Sequence, residues 1–188
     1  MYAAIRRTVE GRPGFRGYCA FVTEQGDAAV SVGVFDDKDT AMDPHHRVQQ
    51  WIDANMRDPM PEDPEVVAGE TAFDAIAHPQ EQTRDRQRSL LVVPRTYYGL
   101  PGQAAAMQSA LSKHTIPAVM DAPGFRGFCA FRDEAGPDRA VSVSLLDGGE
   151  DAVRPHERVV GIMRERLGEM AYDTPEATMG DAAVLATA

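Results

Sequence analysis

Cysteine is almost missing from this chain of 188 residues: Cys19 and Cys129 are the only two. That leaves room for one disulfide at most, and two thiols inside apparent strands read more simply as small buried hydrophobes. No His/Cys/carboxylate cluster has zinc-site spacing. Long apolar runs are missing too; none approaches the roughly 18 residues that mark a membrane span. No signal-peptide pattern opens the chain, so a cytoplasmic protein is expected. Basic residues are the minority, 19 against 29 acidic, giving a net charge of −10. A nucleic-acid partner needs a basic surface, which this balance argues against. There is no phosphate-cradling glycine loop and no Gly-x-Ser-x-Gly elbow.

What the chain has is a repeat. Pro13-Gly-Phe-Arg-Gly-Tyr-Cys-Ala-Phe21 returns as Pro123-Gly-Phe-Arg-Gly-Phe-Cys-Ala-Phe131, differing only at Tyr18 against Phe128. Ala29-Val-Ser-Val32 returns as Ala140-Val-Ser-Val143, and Pro44-His45 as Pro155-His156. Pro64-Glu65 and Gly69-Glu70 return as Pro175-Glu176 and Gly180-Asp181. One structural unit is written twice. The first repeat spans residues 1–77, residues 78–87 link, and the second spans 88–188.

In the second repeat Leu90-Leu-Val-Val93 begins a first strand, and residues 2–9 are its match by Arg7-Thr8 against Arg95-Thr96. Gln103–Leu111 is rich in helix formers, and the helix should end or kink at Pro117. The first repeat has no such segment, because Gly11 runs almost directly into Pro13. Hairpins follow at Arg16–Thr23 with Ala28–Phe35, and at Arg126–Arg132 with Arg139–Leu146. Strict alternation puts Phe15, Gly17, Cys19 and Phe21 on one face and Arg16, Tyr18 and Ala20 on the other. Neither face is strongly polar, so the sheet should be covered on both sides. Asp43-Pro44 reads as an N-cap and first helical position, opening helices near 43–56 and 151–167. Last strands are expected at Glu65–Phe73 and Glu176–Leu185. The order β-α-β-β-α-β is the ferredoxin-like split βαβ arrangement.

The opening Met1–Arg7 with Gly11, Pro13–Gly17, Ser31–Asp36 and Gly69-Glu70 together resemble the antibiotic-biosynthesis-monooxygenase-like family of the dimeric α/β-barrel superfamily. The resemblance implies an α+β fold: two tandem ferredoxin-like repeats forming an intrachain dimeric α/β-barrel, the first lacking its first helix. It also implies one of three activities. These are cofactor-free oxygenation of a small aromatic or quinol-like substrate, ligand binding or oligomerisation without catalysis, and haem binding or degradation. A bare apolar sheet face in the first repeat must be covered by another segment, by a second chain through that repeat, or by a ligand.

The chemical candidates follow. His45 and His156 fall on the inward stripes of equivalent helices, near the expected N-termini, where dipole and burial favour neutral imidazole. Neutral imidazole can take a phenolic proton; the plain alternative is a core histidine bonded to backbone. Tyr18, Phe128 and Trp51 are candidates to line an aromatic pocket with Tyr97 and Tyr98, or are simply core. Arg16 and Arg126 are candidates to hold a substrate oxygen, or to pair with Glu70 or Asp181. His114 sits on the segment found only in the second repeat. No metal is expected, and no cofactor unless haem.

Overall fold

The computed structural model describes residues 11–55, 64–76, 90–99, 102–103, 106, 109–121, 124–136, 138–148, 157, 161, 165 and 176–187. The strand expected at 2–9 and the linker 78–87 lie outside them. The chain forms two compact units, Met1–Val67 with Ala182–Ala188, and Ala68–Asp181.

In the first unit, β1 (Phe15–Val22) and β2 (Ala29–Phe35) form the expected hairpin, and α1 runs from Lys38 to Asn55. β8 (Gly180–Thr187) reaches this unit with its second part and pairs antiparallel with β1 from Phe21↔Ala182 to Gly17↔Thr187. The helix starts earlier than expected. Asp37 is its cap, its Oδ1 accepting from the Thr40 backbone N–H at 2.8 Å, which satisfies one orphan donor of the first turn. Pro44 therefore lies inside the helix rather than opening it, and His45 is far from the terminus. The dipole argument for His45 does not hold; burial, and after it the neighbouring His46, act on it.

In the second unit β4 (Leu90–Tyr98), β5 (Phe125–Arg132) and β6 (Arg139–Asp147) are central, flanked by β3 (Thr71–Ile76) on β5 and by β7 (Glu176–Ala177) and the start of β8 on β4. The strands of the second repeat thus lie in the order β8-β4-β6-β5. That is fourth, first, third, second, the order of a ferredoxin-like sheet. Between β4 and β5 a π-helical turn, Leu111–Thr115, leads into a short helix α2, Ile116–Met120. Pro117 does not end the helix. It lacks an N–H for the preceding turn, and the wider π-turn upstream absorbs the mismatch. Glu157, Gly161 and Glu165 are helical, as expected for the second helix.

Equivalent strands pair across the repeats. β3, from the first repeat, pairs with β5 of the second; β8, from the second, pairs with β1 of the first. The registers match: Thr71↔Phe131 and Phe73↔Ala130 in one ladder, Ala182↔Phe21 and Val184↔Ala20 in the other, each with a shift between the two pairs. The compact units therefore exchange last strands relative to the sequence repeats.

Strict alternation fails at one place, and it fails twice. Both repeats carry a β-bulge, between Phe15 and Gly17 and between Phe125 and Gly127. The extra residue is Arg16 or Arg126, and it shifts side-chain parity by one. Phe15 therefore joins Tyr18 and Ala20, packed by Phe35 and Val48 of α1, rather than the face of Cys19 and Phe21. Phe125 likewise joins Phe128 and Ala130, under Ala110, Ile116 and Val119. Gly14 and Gly124 precede the bulges at φ of 71° and 76°, a backbone region that side chains rarely adopt. Their carbonyls accept from Asp36 N–H and Asp147 N–H at 2.7 Å in both repeats.

Two-sided cover holds for β6, where Ala140–Ser144 are all buried, but not for β2, where Ser31 and Gly33 are exposed. Among the described residues no helix is long and apolar enough to cross a membrane.

Gly124→Ala should cost about 1–2 kcal/mol for the left-handed backbone alone, and its Cβ would also meet the Cβ of Asp147 at 3.0 Å. Gly26→Ala has the same backbone penalty but meets nothing within 4 Å. Urea denaturation should find Gly124→Ala the more damaging; equal effects would mean that the bulge is not held by this glycine.

Candidate functional site

The ion pairs come first, because they remove two candidates from the list of free cations. Arg126 grips Asp147 with Nε at 2.6 Å from Oδ1 and a terminal nitrogen at 3.1 Å from Oδ2. Arg16 makes the equivalent bond to Asp36. The partners are thus Asp36 and Asp147, not Glu70 or Asp181, and the bulge aims each arginine at the carboxylate one strand away. The two pairs differ in burial. Arg126 and Asp147 are 18% and 19% exposed, Arg16 and Asp36 56% and 52%.

A cation missed at the level of sequence lies between β4 and β6. Arg95 is 1% exposed, and its guanidinium donates to Ser144 Oγ at 2.8 Å. Beside it the Tyr97 hydroxyl and Ser142 Oγ are bonded at 3.0 Å, both residues buried. The register explains the cluster. Arg95 is opposite Ser142, Tyr97 opposite Ala140, and Val93 opposite Ser144, while β5 sets Phe128 opposite Ser144 and Ala130 opposite Ser142. These side chains therefore share the face that Ile116 and Val119 of α2 cover. Burial disfavours the charged guanidinium and pulls the Arg95 pKa down, with Tyr97 acting against this. Burial pushes the Tyr97 phenol up, with Arg95 and Ser142 opposing. At neutral pH the site holds a cation, a protonated phenol and two serine hydroxyls on an otherwise apolar face. Such a group can orient a hydroxylated aromatic and stabilise negative charge on its oxygen. One signal was available in the sequence: an arginine in the β-rich run Leu90–Tyr98, and serines alternating with Val141, Val143 and Leu145.

The other candidates are scattered. Phe128 joins this cluster with 3% exposure. Tyr18 is buried in the first unit, and burial raises its pKa while a bond to Ser31 lowers it. Trp51 and His45 are half-buried on α1, on the predicted stripe with Val48 and Ile52, and His46 is exposed. The His45 pKa is lowered, first by burial and then by repulsion from His46, whose ring lies 5.6 Å away. His114 is exposed on the π-turn, and His156 lies outside the described residues. Neither cysteine is in a disulfide; Cys19 is buried and Cys129 half-buried. Among the described residues no group of three metal-ligating side chains occurs.

Solved structures share this fold over nearly the whole chain. The "putative monooxygenase" of Lactobacillus acidophilus NCFM matches with a TM-score of 0.71 at 12% identity, over 99% of this chain and 86% of its own. That of Fusobacterium nucleatum subsp. nucleatum matches at 0.69 and 10% identity, over 97% and 82%. An anthrone oxidase-like protein matches at 0.60 and 12% identity, over 98% and 84%. At such identities the likeness is one of fold: this chain has the α+β fold of these proteins. No family model matches the chain, and no curated protein matches it.

His45 yields a pH prediction. A lowered folded-state pKa means that the neutral ring is preferred in the native state. Its contribution is fully present above the unfolded value near 6.5 and is lost as pH falls below it. Stability followed by the fluorescence of Trp51, the single tryptophan, should decline below about pH 6.5. The decline should be shallower in His45→Gln, and an unchanged slope would show that His45 is not the group responsible. A second prediction concerns the ion pairs. Asp147→Ala should destabilise by about 2–3 kcal/mol in urea denaturation, because it removes the two-point partner of a largely buried guanidinium. Asp36→Ala should cost under about 1 kcal/mol.

Proposed function

We propose that this protein is a monooxygenase of the antibiotic-biosynthesis-monooxygenase type, acting without a cofactor on a small hydroxylated aromatic such as an anthrone or quinol. The observation that carries the reading is the buried group Arg95–Ser144 with Tyr97–Ser142, set beside Phe128 on the helix-covered face of β4, β5 and β6. The neighbours named as monooxygenases and as anthrone oxidase-like support it through the fold they share. In this reading the substrate ring lies against Phe128. A histidine of the same repeat, His156, takes the phenolic proton, and the resulting electron-rich anion reacts with oxygen. Arg95 holds the oxyanion, assisted by Tyr97. Arg126, engaged by Asp147, supports one of the strands on which the site is built, and His114 is a secondary candidate for substrate contact.

Oxygen uptake with anthrone and a panel of polycyclic phenols tests this. Arg95→Met should lower turnover by about 100-fold or more, with near-native circular dichroism; His156→Ala should abolish uptake, and His45→Ala should leave it. No uptake from any compound, or a Soret band on haem titration, would overturn the reading. A binding protein that oligomerises through the first repeat is the second reading. It is favoured by β2, which among the described residues pairs only with β1 and exposes Ser31 and Gly33. A melting temperature that rises with protein concentration would mark it.

A further inference from the structure

We infer that α2, Ile116–Met120, is a hinged lid over the covered face of β4, β5 and β6. It opens at the π-helical turn while the sheet stays folded, and so uncovers Tyr97 and Phe128. The opening stands on the fold alone; what it admits, a hydroxylated aromatic, rests on the monooxygenase reading.

The face is closed in this structure. Tyr97, Phe128 and Ala140 are buried with Ile116 and Val119, and Arg95 with Ser144 and Tyr97 with Ser142 are bonded in pairs. A ligand therefore needs a way in, and the element that closes the face is weakly held. The five side chains of α2 are all apolar, so packing is what keeps it in place. Only Ile116 and Val119 are buried, while Pro117 and Met120 are exposed. Its chief neighbour is β5. Elements with few buried contacts open at lower free energy than the strand ladders beneath them. Upstream the chain passes through the π-helical turn Leu111–Thr115, where Ser112, Lys113 and His114 are exposed. Such turns are rare and gather at functional sites. Pro117 lacks the N–H that would tie α2 back to that turn. Downstream the Gly124 carbonyl accepts from Asp147 N–H at 2.7 Å, which anchors the start of β5, so the movement need not reach the strand. The first repeat shows that the sheet does not need this cover. Tyr18 stands opposite Gly33 and Ala20 opposite Ser31, as Phe128 stands opposite Ser144 and Ala130 opposite Ser142. The same hairpin register thus forms although nothing like residues 103–120 occurs between Gly11 and Pro13. The lid can leave without taking the hairpin with it.

Thiol labelling in urea below the unfolding transition tests the inference in Ala140→Cys, which places a thiol beneath α2. Cys19, 5% exposed on β1, reports on unfolding in the same molecule, and peptide masses separate both from Cys129. The introduced thiol should react at least about tenfold faster than Cys19, at a rate nearly independent of urea, because a lid movement exposes little surface. A rate that climbs with urea as steeply as that of Cys19 would mean that the face opens only by unfolding, and would overturn the inference. Hydrogen exchange of the unmodified chain repeats the test should Ala140→Cys fail to fold. Amides of residues 118–120 should exchange at least about tenfold faster than those of 141–145; equal protection would overturn the lid. Anthrone and the phenol panel, added without oxygen, separate the lid from its purpose. Slower exchange at 118–120 with one of them would support both. Fast exchange unchanged by all of them would leave the lid standing and overturn the oxygenase reading.

Discussion

The bulge that begins β1 and β5 is the constraint on which the rest depends. A glycine at positive φ, Gly14 or Gly124, turns the chain and gives its carbonyl to an aspartate N–H one strand away. The next residue but one, an arginine, is then pushed out of register and caught by that same aspartate. Backbone and side chain therefore fix one geometry twice over. Each component is small by itself: a turn, a hydrogen bond, an ion pair. Together they set strand parity, and parity decides which aromatic goes under a helix. Phe125 and Phe128 share a face only because Arg126 is the extra residue between Phe125 and Gly127.

Much of this architecture was legible in the sequence because repetition multiplies weak signals. The hairpins were placed to within a residue or two. The β-α-β-β-α-β order of the second repeat follows from one apolar strand, one Ala/Met/Gln-rich segment and a duplicated hairpin. What the sequence hid was of two kinds. Local rules read one residue at a time missed the bulge, since alternation has no way to register an extra residue. They also misplaced the start of α1: Asp43-Pro44 has the chemistry of a helix opening, but Asp37 and Thr40 made the cap first. A proline that follows six helical residues is tolerated when the first turns already stand.

The site was harder to read, for a physical reason. The arginines that stand out in the sequence, Arg16 and Arg126, stand out because they are repeated. They are repeated because both hairpins need the same ion pair. The arginine that is buried on the covered face, Arg95, is recognisable only when β4 is laid beside β6 and Ser142 and Ser144 come opposite it. Pairing across strands, which no spacing along one strand encodes, brings a cation, a phenol and two hydroxyls together. Among the histidines, only His45 combines partial burial with a lowered pKa in the described residues, and burial rather than a helix terminus is the cause.

The single difference within the repeated nonapeptide now has a physical meaning. Tyr18 and Phe128 differ by one hydroxyl, and that hydroxyl needs a partner when buried. The first repeat supplies Ser31 and makes room with Gly33. The second keeps the serine but assigns it to Tyr97, and adds a second serine at 144 that accepts from Arg95. A change at one aromatic thus propagates through three strands, because each buried polar group on this face can be satisfied only by a neighbour in register. Duplication made two equal faces; the hydroxyl inventory makes them unequal. The half with the added helical segment is also the half in which Arg95, Tyr97 and two serines are buried together.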